Sequence, residues 1–339
     1  MNRVHHYLMK WKIYRQLIAF SERTSFPGFQ GESIFSVMRF FIKQMVNENL
    51  NTRSSALAFS FFLALFPAII FLFTLIAYVP IDDTKDEVLR FFQGILPEST
   101  FQAVKNTIND ILRKKHGNLL SVGFLLALYF SSNGFFSLMQ LFNKYSHSRE
   151  TRSYIKQRLI SIFLALFFSI LIVAAVGIIT LGEDLLQWML GHHFIKGKAM
   201  YNMLTVVRWL ITLGLFFTTI SSLFYFAPSK KHKWSFISAG STLATILSIV
   251  SSLVFSYYVN NFGSYNKIYG SIGTLIVVLL IIQFNCMILQ IGFELNVSIE
   301  NAVRDRLRES RRTPLEPPKY DVNEPGNRLE IRQEQTNKP

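Results

Sequence analysis

Residues 159–181 read LISIFLALFFSILIVAAVGIITL, 23 positions without a charge. A helix of about 20 apolar residues, rising about 1.5 Å per residue, covers the hydrocarbon core of a bilayer. Too long and too uniformly apolar for a strand, this stretch predicts a transmembrane helix. Five others are nearly as apolar: 54–80, 119–142, 204–228, 235–259 and 271–296. The expected fold is therefore all-α: a polytopic membrane protein with six transmembrane helices plus amphipathic interfacial helices. The stretches 54–80 and 159–181 are nearly pure hydrocarbon. The second, fifth and sixth carry more Ser, Gly, Asn and Gln, which suits helices buried among other helices. The second and sixth are expected inside the bundle and the third against lipid.

Composition agrees. Hydrophobic residues make up 50% of the 339 and charged residues 17%, against about 25% charged in an average soluble domain. A single cysteine, Cys286, excludes an internal disulfide and a cysteine-based zinc site. At the N-terminus Arg3, Lys10, Lys12 and Arg15 break up any signal-peptide core, so insertion is expected from the internal spans.

The net charge of +14 raises the question of nucleic acid, and the placement of Lys and Arg answers it. Eight lie in residues 1–53, five in 143–158, three in 229–234 and nine after residue 296. These four regions share one side of the membrane if all six stretches span. The three loops on the other side, 81–118, 182–203 and 260–270, carry only nine, and the six in 81–118 face six Asp and Glu. Basic residues accumulate on the cytoplasmic side, so both termini are expected in the cytoplasm, against anionic lipid at the inner face. No basic module interleaved with aromatics suggests a nucleic-acid partner. The sequence leaves the oligomeric state open.

Three domains are expected: a cytoplasmic amphipathic segment 1–53, a transmembrane domain 54–296, and a tail 297–339 that is disordered after about 312, where prolines and charges replace apolar residues. In the first, Tyr7, Leu8, Trp11, Tyr14, Leu17 and Ile18 recur at helical spacing, as do Ile34, Met38, Phe41, Ile42 and Met45. Both sets read as helices lying on the inner leaflet or packing on the bundle. Outside, residues 82–116 suggest a helical hairpin, with Pro97 at a helix start.

Polar groups inside hydrocarbon are expensive and prompt functional hypotheses. At 100° per residue, Gln283, Met287, Gln290 and Glu294 share one face of the sixth span, and Asn285, Gly292 and Asn296 the other. Glu294 reads either as a coupling carboxylate for a proton or substrate, or as the partner of a base such as Arg53, Arg158 or Lys233. Arg208, near the outer end of the fourth span, either draws an anionic substrate or snorkels to headgroups. Pro67 should kink the first span by removing the donor to the Leu63 carbonyl, and is a candidate helix break. In Ser131-Ser132-Asn133-Gly134, Asn133 needs a partner and Gly134 allows close approach. Two weakened helices at similar depth would suit a substrate site. Tyr257, Tyr258, Tyr265 and Tyr269 suggest an interfacial anchor. None of the seven histidines lies in a span, and no spacing suggests a metal site, a cofactor or a nucleophile–base pair. The chain does not read as an enzyme.

Four strings in order resemble the YihY/virulence-factor BrkB family across about residues 35–305. They are Ser55-Ala56-Leu57-Ala58-Phe59-Ser60 with Leu65-Phe66-Pro67; Phe224-Tyr225-Phe226-Ala227-Pro228 followed by a basic turn and Trp234; Tyr265-Asn266-Lys267-Ile268-Tyr269-Gly270-Ser271-Ile272-Gly273; and Gly292-Phe293-Glu294-Leu295-Asn296, with Phe where the family has Ala. The resemblance implies a six-span bacterial inner-membrane protein. The family once bore the label ribonuclease BN, a tRNA-processing nuclease, which is regarded as a misassignment. The expected function is a transporter or exporter of an envelope-related, anionic or amphiphilic compound, its substrate a small or lipid-like molecule. The alternatives are a structural or assembly protein of the envelope and, remotely, the ribonuclease.

Overall fold

The computed structural model describes residues 12–47, 49–77, 119–145, 150–191, 198–229, 236–261 and 271–312. The outer hairpin, the tail after residue 312, the basic turn 230–235 and most of the Tyr265–Gly273 string lie outside them.

The described residues form helices and no strand: α1 (Lys12–Arg23), α2 (Ile34–Asn47), α3 (Leu50–Ala77), α4 (Leu119–Ser131), α5 (Asn133–Tyr145), α6 (Tyr154–Gly191), α7 (Lys198–Phe226), α8 (Ala239–Asn261) and α9 (Ser271–Arg312). Six stretches are long and apolar enough to cross a membrane: Leu50–Leu72, Val122–Lys144, Tyr154–Ile179, Met200–Phe226, Ala239–Tyr257 and Leu275–Ser310. Each overlaps one of the six expected spans, and the last runs on to Ser310, past the expected end at 296. The second is α4 and α5 together.

Helix α9 is the hub, packing along α3 and α8 and, past the span, along α2. α3 also packs on α4 and α5, while α6 joins α5 to α7. The tightest crossing is between α8 and α9, where a Cβ on Gly240 would lie 2.0 Å from the Gly292 carbonyl oxygen. Only glycines let the two backbones approach this closely. Nearby, Phe142 of α5 stacks on Phe293 of α9, centroids 3.9 Å apart, with the Phe224 ring edge-on to both. This cluster sits at the end of the bundle that carries α1, α2 and the C-terminal part of α9, called here the terminal end. A second cluster there joins Phe29 and Val37 to Leu295, Ile299 and Ala302.

The structure corrects two expectations. Pro67 does not interrupt α3, which runs from Leu50 to Ala77 through it. The proline removes one hydrogen bond, and with no water to take the freed groups, keeping the rest of the ladder costs least. Nor is the third span the most exposed: 17% of it is buried, against 6% of the fourth and 39% of the second. A pure hydrocarbon sequence suits a neighbouring helix as well as lipid, and α6 buries Ser161, Leu164, Ala165 and Ser169 against its neighbours. The second span is the most buried, as expected. The sixth, at 22%, is no more buried than the first.

Candidate functional site

Between α3, α4–α5, α6 and α9 lies a cavity of about 480 Å³, within the size range of ligand pockets. Small residues open it. Ala64 and Ala68 on α3 and Ala165 and Ser169 on α6 are pairs at i, i+4 facing the same space. Phe61, Phe135, Phe168 and Ile282 wall it, and Cys286, 3% exposed, also lines it. Its polar lining groups already bond within their own helices. Ser131 Oγ donates to the Leu128 carbonyl (2.9 Å), Ser169 Oγ to that of Ala165 (2.8 Å), and Asn285 Nδ2 to that of Ile281 (2.9 Å). Nothing in this lining selects a polar ligand, and the chamber suits a hydrocarbon chain.

The break expected at Ser131–Gly134 is present and separates α4 from α5. A Cβ on Gly134 would lie 2.6 Å from the Phe61 ring, so the glycine admits that ring. The opposite face of the break is bound by Arg158 of α6, which is 8% exposed. Its Nη1 donates to Asn133 Oδ1 (2.8 Å) and its Nη2 to the Tyr129 carbonyl (2.9 Å), with the guanidinium 3.6 Å from the Tyr129 ring centroid. Asn133 finds the partner it was expected to need, and Arg158 is committed there rather than to Glu294. Asn133 also lies nearer the terminal end than its place in the sequence suggests: Phe136, three residues on, packs against Tyr154 at the start of α6.

Glu294 and Gln290, 3% and 2% exposed, sit one turn apart on α9. Gln290 Nε2 donates to the Cys286 carbonyl at 3.3 Å. Arg53, at the start of α3, is the base whose charge acts on Glu294. Gln283 turns to α3, donating to Asn51 Oδ1 and Ser55 Oγ, both at 3.0 Å. Arg208 packs its stem on α6, its Cδ 2.9 Å from where a Cβ on Gly182 would lie. The 16 residues of α7 from Arg208 to Phe224, which touches Phe293, span about 24 Å. The structure thus brings Gln290 and Glu294 together and keeps Asn133, Arg208 and Gln283 apart from them. None of these five lines the chamber.

Each residue of the Gly292–Asn296 string has its own contact. Gly292 makes the crossing, Phe293 the ring stack, and Leu295 joins the α2 cluster. Asn296 Oδ1 accepts from Gly240 N at 2.8 Å, and its Nδ2 donates to Ser238 Oγ at 2.8 Å, so it caps the N-terminus of α8.

Sequence reasoning missed a latch at the terminal end. Arg152 Nε and Nη2 donate to the two Glu150 oxygens at 2.9 and 3.0 Å, and Nη2 reaches the Ala227 carbonyl at 2.9 Å. Asn143 Nδ2 donates to Glu150 Oε2, and Asn143 Oδ1 accepts from Ser229 N at 2.6 Å. Burial raises the Glu150 carboxyl, but the hydrogen bonds and charge of Arg152 and the Asn143 amide outweigh it and hold the group below its ordinary value. The Phe224–Pro228 string is where this latch docks. Its signal was only a short loop with one acid among several bases.

This architecture defines a helical integral membrane protein of six spans. The description "Virulence factor BrkB" matches residues 41–315, and the chain belongs to that family. It is 32% identical over 246 residues to the "ribonuclease-like protein YfkH" of Bacillus subtilis strain 168, covering 72% of this chain and 88% of that one. It is 20% identical over 278 residues to a UPF0761 membrane protein of Tolumonas auensis (81% and 89% covered) and 22% identical over 265 residues to UPF0761 membrane protein NTHI0384 of Haemophilus influenzae (77% and 93%). No solved structure matches the chain.

Proposed function

We propose that the protein is a transporter or exporter of a lipid-like envelope compound, whose hydrocarbon part occupies the chamber. One observation carries this reading: an apolar cavity of about 480 Å³ walled by four of the spans. The chamber is partly open between the helices, so an acyl chain could enter it from the side. Glu294, buried one turn beyond Gln290 on the helix that lines the chamber, is the coupling carboxylate of this reading. The Lys and Arg distribution supports an inner-membrane orientation with the terminal end in the cytoplasm.

The test uses purified protein in liposomes with a fluorescent acyl-chain amphiphile. Ala165→Phe fills the chamber and should cut transport at least about tenfold, a loss of about 1.4 kcal/mol, with the melting temperature held. The amphiphile should also slow alkylation of Cys286. Unchanged flux and unprotected Cys286 would sink the reading; unchanged flux with Glu294→Gln would remove the coupling role alone.

A second reading, a structural or assembly protein of the envelope, draws on Arg158, Asn133 and Asn296, all engaged in joining helices. It predicts that Glu294→Gln lowers the melting temperature and no variant alters flux. The name of the Bacillus relative keeps a ribonuclease reading testable: purified protein should then cleave RNA, and the UPF0761 names carry no such activity.

A further inference from the structure

The six-span reading leaves α1 and α2 without a role. α2 ends at Asn47 and the first span starts at Leu50. A link this short holds α2 at the membrane surface whatever else it does. One face of α2 is occupied: Val37 is fully buried, with Ile34 and Phe41 beside it, against Leu295, Ile299 and Ala302 of α9. About 100° round the helix lies a second apolar stripe. Met38, Ile42 and Val46, spaced i, i+4, i+8, are 36%, 42% and 77% exposed. Arg39 and Lys43, also exposed, flank one edge of this stripe. Gln44 falls between Phe40 and Val37 on the α9-facing side, with its Nε2 buried, and Ser36 is half-buried beside it. In the preceding segment Phe20 and Phe26 are 65% and 58% exposed.

A surface helix normally has one apolar face, and this one has two. The first is satisfied by protein. The second ends where the hydrocarbon begins and is edged by cations.

We propose that α2 lies in the plane of the bilayer at the terminal end, with Met38, Ile42 and Val46 inserted among acyl chains and Arg39 and Lys43 at anionic lipid headgroups. The buried Val37 face sets the rotation of the helix. Rotated by the packing on α9, the stripe points into the hydrocarbon, and the Arg39–Lys43 edge points toward headgroups and water. Ion pairs brace the arrangement: Arg306 Nε lies 3.0 Å from Glu32 Oε1, and Arg39 Nη2 lies 3.2 Å from Asp305 Oδ2. Arg39 therefore divides its charge between α9 and the headgroups, and Lys43 is the cleaner lipid contact. Interfacial helices bind through apolar burial plus attraction to anionic lipid, and a juxtamembrane Lys or Arg contributes about 1 kcal/mol.

The single native cysteine makes the test direct. In a Cys286→Ala background, single cysteines at Ile42, Val46 and the exposed Ser310 near the end of α9 carry a nitroxide, with the full chain reconstituted in vesicles of zwitterionic lipid containing phosphatidylglycerol. Collision with oxygen reports hydrocarbon, and collision with a water-soluble nickel chelate reports water. Labels at Ile42 and Val46 should favour oxygen over nickel several-fold more than the label at Ser310. Lys43→Gln should lessen that preference in anionic vesicles and leave it unchanged in purely zwitterionic ones. Equal nickel access at all three positions would overturn the proposal. So would dipolar broadening between Ile42 labels on two copies, which would assign the stripe to a second chain. A lower melting temperature in a labelled variant is checked with Val46 alone, the most exposed residue of the stripe.

Discussion

The two ends of the bundle are built on different principles. At the terminal end the helices interlock: two glycines bring α8 and α9 into backbone contact, three phenylalanine rings close over the crossing, and Asn296 caps the neighbouring helix. Toward the other end, small side chains leave a chamber, and α7 exposes Met203, Val206, Trp209 and Leu210. Helix α9 belongs to both, lining the chamber with Ile281 to Leu289 and filling the core from Phe293 onward. One end holds the helices in backbone contact, and the other keeps them apart by the width of the chamber.

That contrast can be broken first at the crossing. Gly240→Leu should prevent folding, with a loss above about 4 kcal/mol, the range of severe core disruption, read as loss of the monodisperse peak in size-exclusion chromatography. Arg158→Ala should be next. It strips a buried partner from Asn133 and Tyr129, and a cost of about 3 kcal/mol is expected for losing charge-assisted bonds; Arg158→Lys should recover part of it in thermal melts. In the chamber the sign should reverse. Ala68→Leu fills space and should be neutral or stabilising by up to about 1 kcal/mol; a large loss there would show that the chamber is already filled.

The latch sharpens the comparison through pH. Glu150 is held below its ordinary value, so its stabilising contribution is complete above the unfolded carboxyl value of about 4.3. It is lost as pH falls through the lower folded value. Wild type should therefore lose melting temperature between neutral and acid pH by more than Glu150→Gln does. Smallest of all, Asp305→Asn removes an ion pair whose partners are 53% and 43% exposed, and exposed pairs contribute about 0–1 kcal/mol.

The six spans were legible because an uninterrupted apolar run permits few other structures. The break at Ser131–Gly134 was legible too, since Ser, Asn and Gly in sequence weaken a helix by composition alone. Its partner was not, because Arg158 lies 25 residues on and only the fold brings it to Asn133. Pro67 misled for the opposite reason: its local effect is real, but the surroundings decide whether a helix stops. The chamber lies beside the two stretches read as weakened, around Pro67 and Ser131–Gly134, but its shape was not legible because it is made by what is small. Ala64 and Ala68, set against Ala165 and Ser169, are an unremarked pattern unless the two spans are known to face each other. The latch at Glu150 depends on a loop geometry that periodicity does not describe.

The contact between Arg158 and the break also bears on how the chain is made. The second span reaches the membrane first, carrying an interrupted helix and the Asn133 amide. The group that bonds both arrives only with the third span. Hydrocarbon offers neither of them a substitute. The second and third spans are therefore expected to insert as a pair, and residues 146–153 are the length of chain that separates them.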